Sequence, residues 1–283
     1  MTAALPDHWT LLPLRTPTLP PATTTNAAII GRDRLLVVDP GSPHPDEQAR
    51  LLAILTERHA LGHHLAGIFL THHHHDHLAG VEALRAQLAA LGLAAPVLAH
   101  PLTFERAPSL PVPEADRLTV EHGHILNLGG HTLKILHTPG HTRGHLALLD
   151  TSSGVAYAGD MVASDSSIII DPPDGDMAAY LHSLQRLRAL SLQLLIPSHG
   201  APIEAPDEHL AQVIDHRLAR EALVLAALDH TPRIPAALVP AAYPEVPPAL
   251  YPLAERSLLA HLIKLGDDKL ASRHGAKWRL APT

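Results

Sequence analysis

The segment Thr71-His72-His73-His74-His75-Asp76-His77 constrains this chain more than any other, because it contains the pattern H-x-H-x-D-H. On that template one short turn delivers His72, His74, Asp76 and His77. Neutral imidazole nitrogens and a carboxylate oxygen are ligands that Zn²⁺ and related first-row metals accept. The run follows Leu65–Leu70, an apolar stretch of strand length, and precedes Leu78–Leu88, whose apolar spacing predicts a helix. A junction of this kind is where loops of α/β proteins carry function. The run is internal and interrupted by Asp76, unlike a purification tag.

Three further groups arrive downstream. His141 stands in His137-Thr-Pro-Gly-His141, after the strand-like Thr132–Leu136. Gly159-Asp160 follows the apolar Gly154–Ala158, and Pro197-Ser-His199-Gly200 follows Leu192–Ile196. Each is a single His or Asp beside Gly or Pro at the expected end of a strand. A purely structural metal site needs about four ligands and no open position, so these additional ligands favour catalysis. His73 and His75 occupy the variable positions of the run and are expected to point away from it. His145 is expected to be a hydrogen-bonded structural residue, and His63, His64, His122 and His124 to lie at the surface.

H-x-H-x-D-H, T-P-G-H, G-D and x-H-G, in that order over about residues 9–205, resemble the metallo-β-lactamase superfamily. The resemblance implies a four-layer αββα sandwich. It implies a first metal held by His72, His74 and His141, a second held by Asp76, His77 and His199, and Asp160 bridging the two. Asp76 and Asp160 are then the catalytic carboxylates. The cofactors implied are two divalent ions, zinc first, with manganese or iron as alternatives, and the nucleophile is a metal-bridging hydroxide. Asp39-Pro-Gly41 resembles the family's early Asp-x-Gly, whose aspartate hydrogen-bonds around the metal histidines. Cysteine is absent, which excludes a thiolate ligand, a thiolate nucleophile and any disulfide.

The pattern changes after residue 205. Asp207 is expected to N-cap a long helix to about Asp229, Pro-rich turns follow, and a further helix covers about Leu250–Leu265. Asp268–Leu280 reads as two short strands turning at His274-Gly275, which completes a small winged-helix-like α/β domain over 206–283 beside a hydrolase domain over 1–205. The whole is an α+β chain. It is similar to the β-lactamase-like protein 2 group, to which Thr25-Asn26, the Asp174–Leu190 segment and Asp215-His-Arg217 also conform. Pro197-Ser-His-Gly departs from the group's usual P-G-H-G. Members include single-strand-specific endoribonucleases, while related fungal enzymes hydrolyse carrier-protein thioesters.

Charge weighs these substrates. Residues 206–283 carry nine basic and nine acidic side chains, and residues 1–205 carry the whole net charge of −7. A nucleic-acid binder normally shows a basic footprint. A small-molecule or acyl substrate is therefore favoured over single-stranded RNA. Two other readings stay open: a nucleic-acid-binding regulator with a vestigial metal site, and a one-iron persulfide dioxygenase. With no apolar run near the roughly 20 residues that span a bilayer, and no signal peptide in Met1–His8, the expected setting is soluble and cytoplasmic. Leu- and Ala-rich C-terminal helices allow a homodimer.

Overall fold

The computed structural model describes residues 5–282. It divides into two compact units. Among the described residues, the first comprises 5–138, 144–167 and 191–206, and the second 139–143, 168–190 and 207–282.

Two sheets form the first unit. One has the order β1 (Trp9–Arg15), β2 (Thr24–Ile30), β3 (Arg34–Val38), β4 (His64–Phe69), β5 (Val97–Ala99), β6 (Arg117–Thr119). Its first three strands run antiparallel and the rest continue in parallel from β3. The other has the order β11 (Leu194–His199), β10 (Val155–Ala163), β9 (Leu146–Asp150), β8 (Thr132–His137), β7 (Ile125–Asn127), with only β10 and β11 parallel. In β3, Leu36 and Val38 join Ile135, Leu148, Tyr157 and Ile196 between the sheets, while Leu35 and Val37 pack on the outer face. There they meet Leu51 and Leu55 of α1 (Pro45–Ala60) and Leu84 and Leu88 of α3 (Val81–Ala90). Burial on both faces is why this strand reads as a continuous apolar run. The parallel pairs β3–β4 and β10–β11 each end side by side, so the loops beyond them emerge together within their sheet.

Asp150 closes β9 as a buried carboxylate. It accepts hydrogen bonds from Ser152 Oγ at 2.6 Å, Ser153 Oγ at 2.7 Å and His8 Nε2 at 2.6 Å. Burial alone raises its pKa, but the donors from Ser152, Ser153 and His8 outweigh burial and hold it well below the usual carboxylate range. A depressed folded-state pKa stabilises above the unfolded value and is lost as pH falls. Asp150→Asn is therefore expected to cost about 1–3 kcal/mol at pH 7. The stability gap to the wild type should narrow below about pH 4, as read by urea unfolding across pH. A constant gap from pH 7 to pH 3 would refute this role.

The second unit contains α5 (Met177–Arg188), α6 (Pro206–Ala226), α7 (Pro235–Ala242), α8 (Tyr251–Asp267) and the hairpin β12 (Ala271–His274)–β13 (Lys277–Leu280). Val224, Leu238, Val239, Leu258, Leu262 and Trp278 share one core. The α6 helix starts two residues earlier than expected, at Pro206 and not at Glu208, so Asp207 sits in its first turn and pairs with Arg188 instead of capping. The segment 168–171 is held by the later helices. Arg217 of α6 donates to the Ile168 carbonyl and lies over the Tyr180 ring of α5 at 5.3 Å. Ile170 N donates to Ser257 Oγ of α8 at 3.3 Å, and Arg256 pairs with Asp171 at 3.2 Å. Among the described residues, no helix is long and apolar enough to cross a membrane.

Candidate metal centre

The loop beyond β4, the bent part of β10 and the end of β11 bring the candidate ligands of the first unit together. After β4, the chain passes Thr71–His74 and makes one turn of helix, α2 (His75–Leu78), which turns Asp76 and His77 inward. After β3 stands Asp39, fully buried and in the left-handed region at φ 46°. Its Oδ1 accepts from Thr71 N at 2.8 Å, and its Oδ2 from Thr71 Oγ1 at 2.6 Å and His77 Nδ1 at 2.8 Å.

These bonds fix the tautomers. The single hydroxyl proton of Thr71 goes to Asp39, so at its 3.0 Å contact with His72 Nδ1 the imidazole is the donor. In their neutral forms His72 and His77 carry the proton on Nδ1, which leaves the inward Nε2 of each with the lone pair. His199 follows the same rule, with Nδ1 donating to the Thr24 carbonyl at 2.9 Å.

Two clusters result. His72 Nε2 lies 3.0 Å from His74 Nδ1 and 3.9 Å from Asp160 Oδ2, and the ligand atoms of all three lie within 4.8 Å of one another. Asp76, His77 and His199 form the second cluster. In it His77 Nε2 is 3.4 Å and His199 Nε2 3.5 Å from Asp160 Oδ1, and His199 Nε2 is 3.5 Å from Asp76 Oδ2. Asp160 thus turns one oxygen to each cluster. The donor set fits divalent metals: the fully buried His77 Nε2 makes no hydrogen bond, and imidazole nitrogens converge with carboxylate oxygens on the same points. His141 lies on the 139–143 turn of the second unit, buried, with Nδ1 on the Ile169 carbonyl at 2.8 Å and Nε2 as its remaining donor atom.

The electrostatics of the second cluster favour positive charge. Burial pushes the His77 pKa down, but Asp160, Asp39 and Asp76 outweigh it and hold it well above the usual histidine value. His199 is likewise lowered by burial and raised on balance by Asp160. Burial raises Asp160, yet His77 and His199 bring it well below the ordinary carboxylate range.

Asp160 does not follow a strand, as its sequence context predicts, but lies within one. β10 runs on to Ala163 past an irregularity at Gly159, whose φ of 57° swings the next side chain out of regular alternation. His145 secures that bend. Its Nε2 accepts from Asp160 N at 3.1 Å, so its Nδ1 donates to Thr138 Oγ1 at 2.8 Å and no lone pair is left for a metal. His73 is half-buried and His75 exposed, and neither belongs to a cluster. Thr71, which bonds Asp39 and contacts His72, is the residue of this arrangement that sequence reasoning missed. Its place directly before the histidine run was the one available signal.

Residues 20–199 match the metallo-beta-lactamase superfamily, and residues 235–278 match the beta-lactamase associated winged helix domain. The chain is 28% identical over 247 residues to a beta-lactamase-like protein 2 homolog of Drosophila melanogaster, an alignment covering 85% of this chain and 82% of that protein. A metallo-beta-lactamase family protein of Thermus thermophilus superposes with a TM-score of 0.78 at 25% identity, over 98% of this chain and 100% of that one. TTHA1623, solved in a di-iron-bound form, is 30% identical with a TM-score of 0.53, over 70% of this chain and 96% of its own.

Proposed function

Because the chain belongs to the metallo-beta-lactamase superfamily, we propose that its two clusters hold two divalent metal ions and that it hydrolyses an ester, thioester, amide or phosphodiester. The observation that carries this reading is Asp160, which faces one cluster with Oδ1 and the other with Oδ2. His72 and His74, with His141 of the T-P-G-H motif, form the first ligand set; Asp76, His77 and His199 form the second. When bound, such a pair supplies activation of water at neutral pH and stabilises negative charge developing on the substrate.

The chain's own part is orientation and charge. Asp39 holds Thr71 and His77 together, Thr71 passes that constraint to His72, and Thr24 holds His199. Asp76 and Asp160 are the carboxylates within reach of the reacting water. A small-molecule or acyl substrate is favoured, since the net charge of −7 supplies no broad basic footprint for nucleic acid. Zinc is the expected metal from the nitrogen and oxygen ligands, and iron is the second, in view of the di-iron form of TTHA1623.

Elemental analysis of purified protein is expected to return two ions per chain, with hydrolysis lost on chelation and restored by the metal. Full activity with one ion or none would overturn the proposal, and one iron per chain would point to the dioxygenase reading. The substrate class is read by assaying an acyl-thioester, a lactone, a β-lactam and single-stranded RNA side by side. Turnover of RNA alone would overturn the preference for an acyl substrate.

A further inference from the structure

His199 is a candidate ligand carried at the very end of a strand. It is the last residue of β11, and the chain turns away at Gly200 with φ 88°. Its imidazole is fixed through Nδ1, and within its own sheet its carbonyl accepts from Ser164 N at 3.3 Å.

The loop on both sides of His199 is also held from the other sheet. Asn26 of β2 is 2% exposed, and its side-chain amide spends both hydrogens on this one loop: Nδ2 donates to the Pro197 carbonyl at 2.9 Å and to the Gly200 carbonyl at 2.8 Å. The two acceptors bracket Ser198-His199, so one planar amide clamps the peptide on both sides of the ligand. Two residues earlier, Thr24 supplies the carbonyl that receives His199 Nδ1. A third tie runs through Tyr157, whose hydroxyl donates to the Asn26 carbonyl and lies 3.5 Å from Ser198 Oγ. Ser198 is not among the residues with positive φ, so a side chain there costs no backbone strain and supplies this contact.

We infer that Asn26 is a positioning residue for His199. It sets the affinity of the Asp76/His77/His199 cluster for its metal and leaves the His72/His74 cluster alone. No other side chain of this size substitutes. Aspartate would turn a lone pair towards two carbonyls, and alanine would take that donor from the buried Pro197 carbonyl and the half-buried Gly200 carbonyl. The inference rests on the proposed two-ion centre.

The test is competitive zinc titration against a chromophoric chelator, on full-length wild type, Asn26→Ala, Asn26→Asp, Thr25→Val, His199→Ala and the Asn26→Ala/His199→Ala double variant. Thr25 is the control for a merely structural loss. Its buried hydroxyl, on the same strand as Asn26, bonds Thr16 Oγ1 at 2.8 Å. Removing a group that orients a ligand typically costs about 10–100-fold in metal affinity. Both Asn26 variants are expected to weaken one ion by that factor and leave the other unchanged. Thr25→Val is expected to lower the melting temperature without that split, and Asn26→Ala to add nothing in the His199→Ala background. Equal weakening of both ions, unchanged affinities, or additive losses in the double variant would overturn the inference. If the wild type binds a single ion, the two-ion reading falls on its own. The inference then stands or falls on whether Asn26→Ala weakens that ion only while His199 is present.

Discussion

Asp160→Ala is expected to lower hydrolysis at least about 100-fold, the order lost when one preorganised charge-stabilising group is removed, and to release metal from both clusters. The reason is its double engagement, with Oδ2 towards His72 and Oδ1 towards His77 and His199. Asp160→Asn keeps the shape and removes the charge, so it separates packing from electrostatics and is expected to fail nearly as badly. His73→Ala is the matched control. It lies in the same run as His72 and His74 but outside both clusters, so two ions should remain bound. Metal content and turnover are measured on the three variants together. Equal metal loss in His73→Ala and Asp160→Ala would mean that the register of the run has been misread.

Gly41→Ala is expected to be almost as damaging without touching a ligand. A Cβ at Gly41 would lie 1.8 Å from the Asp76 carbonyl oxygen and 2.8 Å from His77 Cα. Those are backbone atoms of the one-turn helix that presents both ligands, so no side-chain rotation relieves the overlap. Gly80 faces the same turn from the other direction, its Cβ position 2.2 Å from the Pro40 carbonyl oxygen. Overpacking of this kind typically costs about 1–3 kcal/mol, and here the displacement falls on Asp76 and His77. The variant should melt lower and lose the metal of the second cluster first. A protein with both ions bound and a wild-type melting temperature would refute this account of the Asp39-Pro-Gly41 turn.

The histidine run was legible because four candidate ligands lie within six residues, where spacing alone carries the geometry. His199 and Asp160 were legible as single residues beside glycine at expected strand ends, though the bend at Gly159 that puts Asp160 inside β10 depends on His145 crossing from the start of β9. Thr71 could not be found this way. Its hydroxyl matters only because β3 and β4 lie side by side and carry Asp39 to it, a relation that one strand's sequence does not contain. Asn26 was visible only as a match to relatives, since its acceptors lie more than 170 residues away. The second unit is discontinuous for the same physical reason: residues 168–190 belong with α6 and α8 through contacts such as Arg217 to Ile168, and local periodicity does not report them.

The segment 168–171 also bears on how this protein can be cut and recombined. Ile169 gives its carbonyl to His141 Nδ1, while its neighbours on either side are fastened to Arg217 of α6 and Ser257 of α8. The imidazole of a T-P-G-H motif is thus held in place by helices that follow it by 76 and 116 residues. A chimera spliced at residue 206 would receive foreign helices with no partner for that carbonyl-bearing segment. One that exchanges residues 139–143 and 168–190 together with the C-terminal region would transfer the histidine and its fastening as one piece. The unit of exchange in this protein is a set of contacts, and it does not coincide with a stretch of sequence.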